Sequence, residues 1–62
     1  MKHYFVRYQI EGYSKIKFFI YTNHEDDVYE GLLEDIQKEI LRKNGLNENS
    51  TWLIDIVAFN II

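Results

Sequence analysis

The sequence contains no cysteine and no proline, and only three glycines among its 62 residues. Without cysteine, neither a disulfide nor a thiolate metal site can supplement the hydrophobic core. This matters because a chain of this length buries only about 60% of its unfolded surface and is marginally stable unaided. Oligomerisation or an unusually well packed core remains as the source of extra stability. The lack of cysteine is also consistent with an intracellular protein.

Long apolar runs are lacking as well. No run approaches the roughly 20 residues of a membrane span, and the N-terminus alternates apolar and polar residues instead of forming a signal-peptide core. We therefore expect a cytoplasmic protein without membrane contact. We expect residues 1–62 to form one small domain, since no linker or repeat interrupts them. So short an acidic chain would suit an accessory protein of a mobile element.

Residue combinations typical of catalysis or metal binding are few. His3 and His24 are too few to form a metal site alone, and neither Ser14 nor Ser50 has a recognisable histidine and acid to orient it. The acids at positions 25–27 point in different directions on a helix, so we interpret them as stabilising its N-terminus. No glycine-rich phosphate loop is present. We expect no metal, no cofactor and no catalytic residue.

Charge is divided unevenly along the chain, whose net charge is −3. Residues 1–22 carry four basic residues and one acid, giving 4 − 1 = +3, and residues 23–62 carry three basic residues and nine acids, giving 3 − 9 = −6. Such an asymmetry favours a charged partner.

Two strands are predicted near the N-terminus from apolar residues at every second position. They cover residues 4–10 and 15–22. We expect a three-residue loop at positions 12–14, which pairs Glu11 with Lys15 and keeps all core residues on one face. A two-residue turn would mix the two faces. The predicted core residues are Tyr4, Val6, Tyr8, Ile10, Ile16, Phe18, Ile20 and Thr22.

A helix of about twenty residues is predicted after the second strand. Thr22 or Asn23 serves as its N-cap, Gly45 as its C-cap, and Gly31 lies inside it. The helix carries an apolar stripe at helical spacing. The residues of that stripe are Val28, Tyr29, Leu32, Leu33, Ile36 and Ile40.

The third strand, within residues 51–62, is apolar on both faces, which is typical of strands covered on both sides. The order β-β-α-β predicts an α+β fold, with a three-stranded antiparallel sheet in the order 2-1-3 and one helix packed on one face. A right-handed crossover leads to the third strand. In the alternative arrangement, the third strand lies parallel beside the second.

The helix-free face of this sheet is the predicted functional site. Its apolar side chains are too many to leave in water, and a two-fold dimer would cover them. Asp55 is expected across from Arg7, where it would neutralise the centre of the face. We therefore predict a small non-enzymatic protein–protein interaction module, such as an adaptor, regulator or inhibitor, that forms a homodimer. The predicted interface residues are Phe5, Arg7, Phe19, Tyr21, Leu53, Asp55, Val57, Phe59 and Ile61.

Three other interpretations remain open. The first is a platform for single-stranded nucleic acid, in which aromatic rings stack bases and basic residues contact phosphates. The second is an outer sheet face without a partner. In the third, an exposed edge strand joins the sheet of a larger assembly. The nucleic-acid platform would comprise Phe5, Arg7, Lys15, Lys17, Phe19 and Tyr21.

Overall fold

A computed structural model describes residues 1–24 and 30–62 of the chain. Within these residues the elements are three strands, one α-helix and a short 3-10 helix. In chain order they are β1 (Lys2–Ile10), β2 (Lys17–Asn23), α1 (Leu32–Lys43), the 3-10 helix (Thr51–Leu53) and β3 (Ile54–Ile61).

The strands form one sheet in the order β2-β1-β3. β1 lies in the centre and pairs antiparallel with both neighbours. The α1 helix covers one face, where its apolar residues meet the even-numbered residues of β1. The predicted α+β fold, the strand order and the antiparallel pairing are therefore confirmed. The parallel alternative is wrong because β3 pairs with β1.

The connection between β1 and β2 differs from the prediction. Tyr13 N–H donates to the Ile10 carbonyl over 3.0 Å, closing a turn in which Gly12 has φ of +89°, a value that favours glycine. Pairing then begins only at Tyr8 and Lys17. The three-residue loop and its Glu11–Lys15 pair are wrong, and β2 is shifted by one position.

That shift reverses the two faces of β2, because side chains alternate along a strand. Phe19 pairs with Val6 and Tyr21 with Tyr4, so both rings lie on the helix side of the sheet. Phe19 packs edge-on against Tyr8, with ring centroids 5.8 Å apart. The predicted placement of Phe19 and Tyr21 on the helix-free face is wrong, because the one-position shift turns both rings toward the core.

β3 also departs from simple alternation. Arg7 pairs with Ala58 but Tyr8 pairs with Ile56, so one extra residue, Val57, stands in β3 as a β-bulge. Beyond the bulge the faces exchange. Phe59 therefore lies on the helix side, where it stacks on Tyr4 with ring centroids 4.7 Å apart.

The predicted positions of Ile61 and Leu53 on the helix-free face also differ from the structure. Ile61 pairs with Tyr4 on the helix side, although it is exposed at the end of the strand. Leu53 belongs to the 3-10 helix and packs against the core. The predicted helix-free positions of Phe59, Ile61 and Leu53 are therefore wrong.

The α1 helix begins later than predicted. Gly31 is its N-cap and has φ of +91°, which is outside the helical region, so a helix continuous through this residue is wrong. Thr22 and Asn23, the predicted N-caps, lie in β2. The predicted first-turn acids, and the first two residues of the apolar stripe, fall at positions 25–29, outside the described residues.

The buried stripe of α1 is mostly as predicted. Leu32, Ile36 and Ile40 are buried at helical spacing. Leu33 is 52% exposed, and Leu41 is fully buried in its place. The buried face of α1 therefore includes Leu41 and excludes Leu33.

The predicted end of the helix at Gly45 is confirmed. Gly45 N–H donates to the Arg42 carbonyl over 3.1 Å, and Leu46 N–H donates to the Leu41 carbonyl over 2.8 Å. This pair of bonds is a Schellman motif, which needs the positive φ that Gly45 adopts, +69°. Leu46 packs against the core just beyond it.

Asn44, beside that motif, connects the helix to the sheet. Its Nδ2 donates to the Ile40 carbonyl over 2.8 Å and to the Tyr8 hydroxyl over 3.4 Å. Its Oδ1 accepts a hydrogen bond from Lys17 Nζ over 3.0 Å. Lys17 is therefore held on the helix side of β2.

Candidate interaction surface

The sheet surface opposite α1 is called the outer face here. The pairing registers place on it every second residue of β1 and β2, together with the β3 residues that pair with them and the bulged Val57. Its residues are His3, Phe5, Arg7, Gln9, Phe18, Ile20, Thr22, Asp55, Val57, Ala58 and Asn60.

Apolar side chains on this face are strongly exposed. Phe18 is 68% exposed and Ile20 is 49% exposed, and Val57 lies exposed across the sheet from them. Phe5 lies between them on β1, with its ring centroid 5.4 Å from that of Phe18. A contiguous apolar patch on so small a protein is typical of a contact surface.

The charged groups of the outer face are Arg7 and Asp55. Asp55 pairs with Gln9, so it is diagonal to Arg7 and not directly across from it as predicted. A diagonal separation of this kind is about 7–8 Å between Cα atoms. Within residues 1–24 and 30–62, neither Arg7 nor Asp55 has a salt-bridge partner. Two opposite charges therefore stand unpaired beside the apolar patch.

The predicted interface residues are only partly brought together. Phe5, Arg7, Asp55 and Val57 share the outer face. The aromatic side chains predicted beside them lie on the helix side, as described above. Sequence reasoning missed Phe18 and Ile20, because it assigned that face of β2 to the core. No sequence signal distinguishes the two faces of β2, because both of its sets of side chains are apolar.

The predicted nucleic-acid platform is also divided. Phe5 and Arg7 lie on the outer face, whereas Lys17 bonds Asn44 on the helix side. Phe19 on that side lies under the Lys43 ammonium group, which is 5.6 Å from its ring centroid. Lys15 lies exposed in the connection before β2. No single face therefore collects these aromatic and basic groups.

A concave site opens at the turn end of the outer face. It has a volume of about 410 Å³ and is formed by residues 9–13 together with residues 52–55. Trp52, in the 3-10 helix, is 73% exposed at this site. A second concavity of about 360 Å³ follows the β2 edge beside Glu39 and Lys43.

The described residues offer neither a metal site nor a membrane-spanning helix. Residues 1–24 and 30–62 include no group of three or more His, Asp or Glu side chains placed to hold a metal ion. In the same part of the chain, no helix has the length and the apolar content to cross a bilayer.

No protein-family model matches the chain, and neither a curated protein nor a solved structure matches it.

Proposed function

We propose that this chain is a small non-enzymatic protein–protein interaction module that forms a homodimer through its outer face. The observation that carries the proposal is the exposure of Phe18, Ile20 and Val57 on a sheet face that no helix covers. Covering these side chains removes apolar area from water, which stabilises an assembly by about 25 cal/mol for each Å². A dimer would also supply the stability that so short a chain lacks.

The unpaired charges favour a second copy as the occupant of this face. In a two-fold interface the contact of one residue with another occurs twice, with the roles exchanged. An axis lying in the interface between Arg7 and Asp55 places each Arg7 over the partner's Asp55. Each copy thereby supplies one charge to each of two ion pairs.

Basic side chains do not oppose this arrangement. Lys17 is engaged by Asn44 on the opposite side of the sheet, so two outer faces can meet without bringing the Lys17 side chains of the two copies together. Arg7 is the one Lys or Arg residue that the pairing registers place on the outer face.

The size of the face limits the expected affinity. At about 3.3 Å per residue and 4.8 Å between strands, the sheet measures roughly 25 by 15 Å. A standard interface buries roughly 800 Å² of each partner, which is about a fifth of the 4356 Å² surface of this chain. The flat area of the sheet, about 375 Å², is smaller than this, so the dimer needs the whole outer face and we expect a dissociation constant in the micromolar range.

Light scattering after size-exclusion chromatography tests the dimer, at protein concentrations from about 5 to about 500 µM. We expect the wild-type molar mass to rise from one copy to two. Phe18→Asp should remain monomeric, because it places a carboxylate in the apolar patch. Leu33→Asp is the matched control, since Leu33 is a similarly exposed apolar residue on the helix. It should dimerise as the wild type does.

A charge exchange tests the two-fold arrangement. Arg7→Asp and Asp55→Arg should each weaken the dimer by at least about tenfold, because like charges then face each other. The double variant should recover most of the wild-type affinity. A wild-type chain that stays monomeric at the highest concentration would overturn the dimer. A double variant no better than the single ones would overturn the proposed axis.

A further inference from the structure

The concave site at the turn end of the outer face has a lining of unusual chemistry. Two aromatic residues, Trp52 and Tyr13, stand 73% and 54% exposed at it. Glu11 and Asp55 supply two carboxylates, and no Lys or Arg belongs to its lining. In the described part of the chain neither carboxylate forms a salt bridge. The site thus combines uncovered rings with uncompensated negative charge.

The frame of this site is fixed by hydrogen bonds. Glu11 N–H donates to the Leu53 carbonyl over 2.8 Å and so ties the β1–β2 turn to the 3-10 helix that carries Trp52. Gln9 Nε2 donates to the Tyr13 carbonyl over 3.2 Å, and this bond holds the far side of the turn. A site held in this way loses little conformational entropy when it binds a ligand.

We propose that this site binds an arginine side chain of a protein partner. The guanidinium group stacks on aromatic faces and donates paired hydrogen bonds to a carboxylate, and the site offers both kinds of group. Its volume of about 410 Å³ admits such a side chain, and falls within the usual range for small-ligand sites. Trp52, Tyr13 and Glu11 are not outer-face residues. Asp55 belongs both to this site and to the outer face, so the fluorescence titration is made at about 5 µM, where we expect the chain to be monomeric.

The binding test uses arginine blocked at both termini as the probe. Trp52 is the chain's single tryptophan, so its fluorescence reports directly on the site. We expect saturable quenching with a dissociation constant on the order of 1 mM, as suits one isolated side chain. Blocked citrulline has the same shape without the charge and should give no saturable change. Blocked lysine should bind at least about threefold more weakly, because it lacks the planar group.

Variants connect the signal to the lining. Glu11→Gln should raise the dissociation constant about three- to tenfold, and more salt should reduce the difference, since the pair is exposed. Glu34→Gln changes the net charge equally at a helix position outside the site and should leave binding unchanged. Trp52→Ala removes the fluorescent group, so its binding is followed by the shift of the Gly12 amide resonance on titration. That shift should be lost in this variant. Thermal unfolding of each variant shows that it remains folded.

Three results would overturn the arginine site. They are equal quenching by citrulline, equal binding of lysine, and unchanged affinity in Glu11→Gln. Failure here leaves the dimer unaffected, since the dimer is measured by molar mass with Phe18→Asp. A chain that is monomeric but binds arginine would refute the homodimer alone.

Discussion

Phe18 and Phe19 are adjacent in sequence but lie on opposite faces of β2, and they provide a matched pair of substitutions. Phe19 is half-buried, packs edge-on against Tyr8 and Tyr21, and lies under Lys43. Phe18 is 68% exposed and contacts Phe5. Replacing each in turn by alanine removes the same atoms from two different environments.

The expected losses differ severalfold. A fully buried phenylalanine costs about 3–5 kcal/mol when replaced by alanine, so the half-buried Phe19 should cost about 2–3 kcal/mol. Phe18→Ala should change the free energy of unfolding of the monomer by less than about 1 kcal/mol. A domain of this length has roughly 3–9 kcal/mol in all. Phe19→Ala should therefore lower Tm by roughly 10–20 °C.

Thermal unfolding at two protein concentrations, about 5 and about 500 µM, separates the folding and association effects by mass action. The decrease in Tm caused by Phe19→Ala should be nearly the same at both protein concentrations. The loss in Phe18→Ala should be small in the dilute sample and larger in the concentrated one, because the dimer then stabilises only the wild type. If Phe18→Ala is the more destabilising variant in the dilute sample, the face assignment is refuted. If its loss is equal at both concentrations, the dimer is refuted.

Two further substitutions test local features of the fold. The Tyr4 hydroxyl is fully buried and has no hydrogen-bond partner among the described residues. Tyr4→Phe should therefore leave the free energy of unfolding unchanged or raise it by up to about 1 kcal/mol. A loss above about 1 kcal/mol in urea unfolding would indicate a partner for that hydroxyl. Gly31→Ala should cost about 1–2 kcal/mol because of its φ of +91°, since the added Cβ itself meets nothing within 4 Å. D-alanine at this position, introduced by chemical synthesis, suits that φ and should restore stability. Equal losses for both enantiomers would contradict the backbone explanation.

The strand order could be predicted from the sequence because it follows from chain geometry. A strand of alternating apolar residues, a glycine turn and a helix ending at Gly45 leave few ways to place the last strand. The faces of β2 could not be predicted, because its two sets of side chains are almost equally apolar. Phe18 and Ile20 compete with Phe19 and Tyr21, and alternation alone does not distinguish them.

The β3 faces were mispredicted for a different reason. A β-bulge shifts all later residues by one position, and nothing in the local sequence around Val57 announces it. Its effect reaches the candidate site, since it moves Phe59 to the core and leaves Asn60 outside. Asp55 lies in β3 before the bulge, and its predicted place on the helix-free face agrees with its pairing to Gln9.

The uneven charge of the two sequence halves acquires a physical meaning in the fold. Lys17 from the basic half bonds Asn44 beside the C-terminus of α1, where Arg42 and Lys43 also lie. Cations are favourable there because they face the negative end of the helix dipole. Part of the asymmetry is therefore internal to the fold and does not require a partner.

Charges without an internal counterpart are the better guide to recognition. Among the described residues they include Arg7, Glu11 and Asp55, all of which lie on the outer face or at its turn end. Exposed charges cost little in water, so their position alone would mean little. Next to Phe18 and Trp52, however, they lie where association would remove water and strengthen each ion pair. Electrostatic specificity and apolar contact area thus coincide on one side of the sheet, and substitutions there should alter association while leaving the helix-side core intact.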